Sequence, residues 1–156
     1  MKPDFFVKSV RELTPEFLKS RGISALMLDL DNTLAGYRAD APSPEIAAWL
    51  ESVRAAGFAL RVVSNSGEGR VRRFCEPLGL EYVHSAKKPS PDGLLKALET
   101  LKNAAMVGDQ LFTDVRSGIR AGVPTIMVDP LNNGFVFKAR RAFEKLIMGR
   151  ERYEQS

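Results

Sequence analysis

Two acidic residues, Asp29 and Asp31, are separated by a single residue at the end of a short apolar run. In an extended chain, side chains two positions apart leave the same side of the backbone, so both carboxylates face one region. Two anions held together need a cation or a proton, because each disfavours the charge of the other. Mg²⁺ binds carboxylate, carbonyl and water oxygens and leaves positions open for a phosphate. The pair therefore predicts a magnesium site for a phosphorylated substrate, with Asp109 as a further metal ligand.

The chemistry that these residues suggest is the hydrolysis of a phosphate monoester. One carboxylate could attack phosphorus and form an acyl phosphate. We expect Asp31 to protonate the leaving alkoxide and then to deprotonate water, a role that typically contributes about 100-fold to 10,000-fold. Ser64 and Lys88 offer donors for the phosphate oxygens. Asn65 could lend an amide to the phosphate, but a turn residue at a strand end explains it nearly as well.

Alternating strand and helix patterns supply the elements that must position these residues. The predicted strands cover residues 25–30, 58–63, 81–83, 104–107 and 125–128. Helical patterns separate them and predict a parallel sheet with helices on both faces. In such sheets the chemistry lies beyond the carboxyl ends of the strands. The candidate residues follow the first, second and fourth strands at these ends: Asp29, Asp31, Ser64, Asn65, Asp109 and Asp114.

In type and order, these residues resemble the motifs of the haloacid dehalogenase (HAD) superfamily of phosphatases, over about residues 25–130. The resemblance implies a Rossmann-like three-layer sandwich with strand order 5-4-1-2-3 and with Mg²⁺ as cofactor. It also implies the role of each residue: Asp29 is the nucleophile, Asp31 the acid and base, Ser64 and Lys88 the phosphate stabilisers, and Asp109 a metal ligand beside Asp29 and the Asp31 carbonyl, with Asp114 in support.

The motif wording is closest to the YqeG-like branch of HAD subfamily III, whose relatives include mitochondrial phosphatidylglycerophosphate phosphatases. Only 34 residues lie between Asp29 and Ser64, and 23 between Ser64 and Lys88. Neither gap holds the cap domain that many members of the superfamily insert there. An uncovered site would admit a bulky substrate or borrow its cover from another subunit.

Composition bounds the remaining organisation of the chain. Its 156 residues, 44% of them apolar, suit one domain over residues 1–156, with a core at about 23–130. The single cysteine, Cys75, excludes an internal disulfide and a cysteine-rich zinc site, and it fits a reducing compartment. No apolar run is long enough for a signal peptide or a membrane span, so we expect a cytoplasmic protein. The net charge of +4 suits an anionic partner without requiring one.

The C-terminal segment predicts a basic amphipathic helix at about 135–149. Its apolar stripe comprises Phe135, Ala139, Ala142, Phe143 and Leu146, and its interleaved basic residues are Lys138, Arg141 and Lys145. Such a helix could bind an anionic membrane surface, although packing of the stripe against the domain is the favoured interpretation. The resemblance and this segment together favour a lipid phosphate such as phosphatidylglycerophosphate. A phosphosugar, a nucleotide or a phosphoprotein is the alternative substrate.

Two other functional classes use related features. A signalling receiver domain also places acids, a hydroxyl and a lysine around Mg²⁺. Its phosphorylated aspartate follows a middle strand, however, whereas the acid pair of this chain follows the first predicted strand. A non-catalytic partner of RNA or of the ribosome is suggested by basicity alone, so we expect no nucleic-acid partner. The oligomeric state cannot be read from the sequence.

Overall fold

The computed structural model describes residues 1–131 and 135–148, which form a parallel six-stranded sheet with helices around it. The strands are β1 (Phe5–Val7), β2 (Ala25–Leu28), β3 (Ala59–Val63), β4 (Glu81–Val83), β5 (Ala104–Gly108) and β6 (Thr125–Val128). They lie in the order β1-β6-β5-β2-β3-β4. The five predicted strands and their order are thereby confirmed.

The predicted strand count of five is wrong by one, because Phe5–Val7 adds a strand at the β6 edge. Phe5 lies opposite Ile126 and Val7 opposite Val128 in this parallel pairing. Three residues are too few for a periodic pattern, and only the distant partner β6 defines them as a strand. The opening segment thus belongs to the sheet, which starts ahead of the predicted core at 23–130.

Side chains of the sheet alternate between two apolar layers, as a three-layer sandwich requires. Leu26 and Leu28 of β2 face one cluster, and Ala25 and Met27 face the other. The helices are α1 (Pro15–Ser20), α2 (Pro44–Ala55), α3 (Glu68–Cys75), α4 (Asp92–Leu98), α5 (Arg116–Ala121) and α6 (Phe135–Met148). Side chains of α1, α2 and α3 fill the first cluster, and those of α4 fill the second.

Helix α2 illustrates how local sequence sets these elements. The side chain of Ser43 accepts a hydrogen bond from the backbone N–H of Ile46, and Pro44 occupies the first turn. The chain turns after the helix at Gly57, where φ is +95°, a conformation that glycine adopts without strain. Helix α2 therefore begins directly after Ser43 and ends before Gly57.

Short connections leave the carboxyl edge of the sheet uncovered by any inserted domain within residues 1–131. Between β3 and β4 lie only α3 and a 3₁₀ turn at Glu76–Leu78. The segment between β2 and α2 forms turns and one isolated bridge, from Asp31 to Ala35. The predicted lack of a cap domain is thus met in this part of the chain. A separate finding is that no helix among the described residues has the length and apolarity to span a bilayer.

Candidate active site

The predicted site residues converge at the carboxyl edge of the sheet. Six of them line an open pocket of about 260 Å³: Asp29, Asp31, Ser64, Asn65, Lys88 and Asp114. Asp109 is 1% exposed, so it is buried beside this pocket without lining it. Convergence follows from the topology, because parallel strands bring their carboxyl ends to one edge.

A buried lysine ties together two of the carboxylates. The Nζ atom of Lys88 lies 2.8 Å from Oδ1 of Asp29 and 2.6 Å from Oδ1 of Asp114. Its neighbour Lys87 is exposed. Of the two adjacent lysines, the structure therefore turns Lys88 into the pocket. An ammonium between two carboxylates can donate to both and still lies where a substrate phosphate would enter.

The protonation equilibria of this group are displaced from their ordinary values. Burial raises the pKa of Asp114 to about 6, and the charge of Asp29 acts in the same direction, while Lys88 opposes both. Burial alone would lower the pKa of Lys88, but Asp114 and Asp29 together raise it above its ordinary value. Lys88 therefore stays an ammonium ion at neutral pH, and the raised pKa of Asp114 reflects first its burial and then the charge of Asp29.

Asn65 fixes the backbone from which Lys88 projects. Its side-chain oxygen accepts from the Lys88 N–H at 2.7 Å, and its Nδ2 donates to the Lys88 carbonyl at 2.9 Å. Both polar groups of the amide are thus occupied within the chain. In this structure Asn65 holds Lys88 in place, whereas its predicted side-chain contact with phosphate stays a prediction.

Ser64 offers the pocket its hydroxyl but not its backbone amide. The Ser64 N–H donates to the carbonyl of Val83 at 3.0 Å, because the pairing of β3 with β4 continues to this residue. This amide is therefore not available to a phosphate. The hydroxyl accepts from the N–H of Ser66 at 3.1 Å and keeps its own proton to donate.

Three buried carboxylates form a cluster with the composition of a cation site. Oxygen atoms of Asp29, Asp109 and Asp114 all lie within 4.8 Å of one another. The hydroxyl of Thr33 lies 3.4 Å from Oδ2 of Asp29 and 3.5 Å from Oδ1 of Asp109. Hard oxygen donors at this density suit Mg²⁺. Asp114, predicted to act only in support, lies within the same 4.8 Å limit as Asp109.

The carboxylate of Asp31 lies apart from this cluster and is held by three donors. Its Oδ1 accepts from the backbone N–H of Arg38 at 2.9 Å and from Nη2 of Arg70 at 3.1 Å. Its Oδ2 accepts from the Ser66 hydroxyl at 3.1 Å. The two acids of the motif therefore have different surroundings, since Asp29 contacts an ammonium and Asp31 contacts a guanidinium and a hydroxyl.

The loop after β5 places Asp114 by close packing against Gly108. A Cβ atom on Gly108 would lie 2.2 Å from Oδ2 of Asp114, so no other residue fits there without displacing the carboxylate. The same Oδ2 accepts from the Gln110 N–H at 3.1 Å. A π-helical turn at Leu111–Val115 follows directly. This turn leads into α5, which begins at Arg116.

Helix α6 packs on this loop through an acidic side chain and leaves much of its apolar stripe exposed. Glu144 is 1% exposed and accepts from the Leu111 N–H at 3.4 Å. Phe143 contacts Phe112, with ring centroids 6.4 Å apart, yet it is 56% exposed, and Leu146 is 78% exposed. The favoured prediction that the stripe packs against the domain is wrong for these side chains. The side chains of the predicted stripe residue Phe135 and of the predicted basic residue Arg141 lie outside the described set.

Several contacts of the site were missed in the sequence. Thr33, Ser66 and Arg70 touch the predicted acids, and Tyr37 lines the pocket mouth at 61% exposure. Thr33 could have been predicted from the sequence, because it follows Asp31 at the same two-residue spacing that separates Asp29 from Asp31. Ser66 and Arg70 carry no such signal, since their direction depends on how α3 begins.

Comparison with known proteins points to one family. The model of a haloacid dehalogenase-like hydrolase matches residues 3–122. A Bacillus subtilis protein named "Probable phosphatase YqeG" is 36% identical over 94% of this chain and 88% of its own length. Phosphatidylglycerophosphate phosphatase 1 of Arabidopsis thaliana is 28% identical over 95% of this chain, which spans 47% of that relative.

Solved structures share the fold at low sequence identity. NagD from Escherichia coli K-12 has a TM-score of 0.57 and 14% identity, over 68% of this chain and 87% of NagD. A hypothetical protein from Xanthomonas campestris has a TM-score of 0.55 and 16% identity, over 77% of this chain and 72% of that one. The family match and the Bacillus subtilis relative show that the chain belongs to the haloacid dehalogenase-like hydrolases and is an enzyme of phosphatase type.

Proposed function

We propose that this phosphatase is Mg²⁺-dependent and hydrolyses phosphate monoesters through a phosphoryl group carried on Asp29. Asp29 attacks phosphorus and Asp31 protonates the departing oxygen. Asp31 then deprotonates the water that releases phosphate from Asp29. Ser64 and Lys88 donate to the oxygens of the transferring group. A reaction in two steps suits a pocket in which two carboxylates, Asp29 and Asp31, have different hydrogen-bond partners.

The observation that carries this proposal is the placement of the Asp29 carboxylate. It lies directly after β2, 2.8 Å from the Lys88 ammonium and within a cluster of three acids, yet it still lines an open pocket. A carboxylate that lies beside an ammonium group and is accessible to substrate meets the geometric requirement for a nucleophile. The Lys88 ammonium beside it also attracts the phosphate dianion.

The residues present fit the proposed Mg²⁺. Asp29, Asp109 and Asp114 offer carboxylate oxygens within 4.8 Å of one another, the donor type that Mg²⁺ prefers. By the family resemblance, Asp29, Asp109 and the Asp31 carbonyl would hold the ion. When bound, Mg²⁺ supplies positive charge that screens the approaching phosphate.

The metal requirement gives the first prediction. We expect purified protein treated with EDTA to release p-nitrophenol from p-nitrophenyl phosphate at the uncatalysed rate, and excess Mg²⁺ to restore activity. The reason is that three close carboxylates repel a phosphate dianion unless a cation neutralises them. Ca²⁺ is the control, since it binds the same oxygens with looser geometry. Full activity in EDTA would remove the metal from the proposal.

The size of the pocket bears on the substrate class. A volume of about 260 Å³ accommodates a phosphate and a few further atoms, below the range typical of pockets that enclose a whole ligand. No inserted domain within residues 1–131 covers the opening, where Tyr37 is largely exposed. The rest of the substrate therefore lies outside the pocket, as suits a phosphate on a large carrier.

A surface beside the pocket favours a lipid as that carrier. We define the α6 face as Phe143, Leu146 and Ile147, which are 56%, 78% and 46% exposed. Their spacing places them on one side of the helix, and the exposed Lys138 and Lys145 are on the same helix. Apolar side chains with flanking lysines match an anionic membrane surface.

The α6 face is also connected to the site. Its Phe143 contacts Phe112, and Glu144 bonds to Leu111, in the turn that ends at Asp114 and Val115. A membrane bound at this face would bring lipid phosphates close to the pocket. We therefore propose a membrane-surface lipid phosphate, of which phosphatidylglycerophosphate is one, with peripheral association at the cytoplasmic face. A soluble phosphosugar, nucleotide or phosphoprotein is the competing substrate class.

Vesicle binding provides the second prediction. We expect the protein to sediment with vesicles of phosphatidylcholine and phosphatidylglycerol, and not with phosphatidylcholine alone. Lys145→Gln should weaken binding about fivefold, because one lysine near an anionic surface contributes about 1 kcal/mol. Leu146→Glu should abolish it. Leu95→Glu is the matched control, because Leu95 is also an exposed leucine but lies on α4. Equal sedimentation with both vesicle types would exclude an anionic membrane as partner.

A further inference from the structure

The buried guanidinium of Arg70 has no role in the mechanism described so far. Its side chain is 13% exposed, at the first turns of α3, and its Nη2 contacts Asp31. Its Nε and Nη1 atoms are buried and have no hydrogen-bond partner in the part of the chain that the structure describes. A buried cation with two unsatisfied donors is costly. Such a cost is retained where the residue serves a purpose other than stability.

Asp31 is the anion that pairs with the guanidinium of Arg70. The guanidinium lies 5.7 Å from the ring centroid of Phe74, a contact that adds only weak attraction. Cys75 lies close enough to sense the charge of Arg70, but burial raises the pKa of its thiol to about 12, so it stays neutral. The ion pair with Asp31 is therefore the strong polar contact of Arg70.

The hydrogen bonds to Asp31 divide its two oxygens into different classes. Oδ1 accepts from the Arg38 N–H and from Arg70, and these two hydrogen bonds occupy both lone pairs of Oδ1. Among the residues that the structure describes, Oδ2 accepts from the Ser66 hydroxyl alone and keeps one lone pair. A proton on the Asp31 carboxyl group consequently goes to Oδ2, since placing it on Oδ1 would break a hydrogen bond to a buried charge.

We propose that Arg70 is a positioning residue that anchors Oδ1 of Asp31, so that Oδ2 is the oxygen that gives and takes the proton. This inference rests on the proposed function. In the first step a bond forms between Asp29 and phosphorus, the bond to the leaving oxygen breaks, and the proton on Oδ2 moves to that oxygen. In the second step Oδ2 takes a proton from water as the water oxygen bonds to phosphorus and the bond to Asp29 breaks.

Two substrates of similar shape separate positioning of the acid from general stability. p-Nitrophenolate leaves without a proton, whereas the more basic phenolate of phenyl phosphate gains from protonation. We therefore expect Arg70→Met to lower kcat/KM for phenyl phosphate about tenfold more than for p-nitrophenyl phosphate, since a small misplacement of a catalytic group has effects on this scale. The ratio of the two values is independent of how much enzyme is folded.

Matched variants complete the test. Asp31→Asn should lower the ratio of kcat/KM for phenyl phosphate to that for p-nitrophenyl phosphate at least as far as Arg70→Met does. The double variant should have the same ratio as Asp31→Asn. Arg70→Lys, which keeps the charge, should restore part of the ratio. Arg72→Met is the control, because Arg72 lies on the same helix but is half exposed and pairs with Glu68.

The outcomes separate the two proposals. An inactive wild type on both substrates would overturn the proposed function. An active wild type whose ratio is unchanged in Arg70→Met would overturn the positioning role alone, even if both rates fall equally. Should Arg70→Met yield no soluble enzyme, Arg70→Gln is measured by the same ratio with the same expectation.

Discussion

Replacing Asp29 by Asn is expected to lower phosphatase activity by about 10,000-fold or more, the scale on which loss of a nucleophile acts in covalent catalysis. An amide keeps the size of the carboxylate but cannot attack phosphorus or form an acyl phosphate. The measurement is kcat/KM for p-nitrophenyl phosphate in saturating Mg²⁺. Asp40→Asn, the same change at an exposed acid of the following loop, should retain wild-type activity.

The covalent intermediate gives an independent readout of the same prediction. Acid quenching during turnover of a ³²P-labelled substrate should leave label on the wild type, and hydroxylamine should remove it, because acyl phosphates react with that nucleophile. Asp29→Asn should carry no label, while Asp31→Asn should still accept it, since Asp31 acts on protons and not on phosphorus. Activity of Asp29→Asn equal to the wild type would remove Asp29 from the mechanism.

The convergence of the site could be predicted because it depends on chain order and little else. Asp29, Ser64 and Asp109 each follow a short run of apolar and β-branched residues. Such a run is too short and too apolar for an exposed helix. Once these runs are taken as parallel strands, topology brings their ends together. The strand order, which the resemblance to the superfamily implied, was confirmed as well.

Details that depend on side-chain packing could not be predicted in this way. The direction of Arg70 follows from its packing beside Phe74 on the same helix and from its contact with Asp31, which no local pattern encodes. The apolar stripe of α6 suggested that its apolar side faces the core, yet Glu144 is buried and Leu146 is exposed. A pattern shows that a helix is amphipathic, but not which surface covers its apolar side.

The largest effect on stability is expected for Lys88→Met. The change removes the ammonium between Asp29 and Asp114 but keeps a side chain of similar length, leaving two buried carboxylates without their shared donor. Removing one partner from a buried ion pair typically costs about 3–5 kcal/mol. Urea unfolding in EDTA should show a loss of this size. Lys87→Met, at the exposed neighbour, should change the free energy of unfolding by less than about 0.5 kcal/mol.

Mg²⁺ distinguishes this electrostatic account from a simple packing defect. If Lys88 offsets the charge of Asp29 and Asp114, a divalent cation bound to the same acids should recover part of the lost stability, and it should stabilise Lys88→Met more than the wild type. A packing defect would give the same Mg²⁺ increment in both proteins. Activity should stay low even in saturating Mg²⁺, because the phosphate oxygens have lost the Lys88 donor. Mg²⁺ should thus recover part of the stability of Lys88→Met but not its activity. Only a lysine that contributes to both stability and catalysis would give this result.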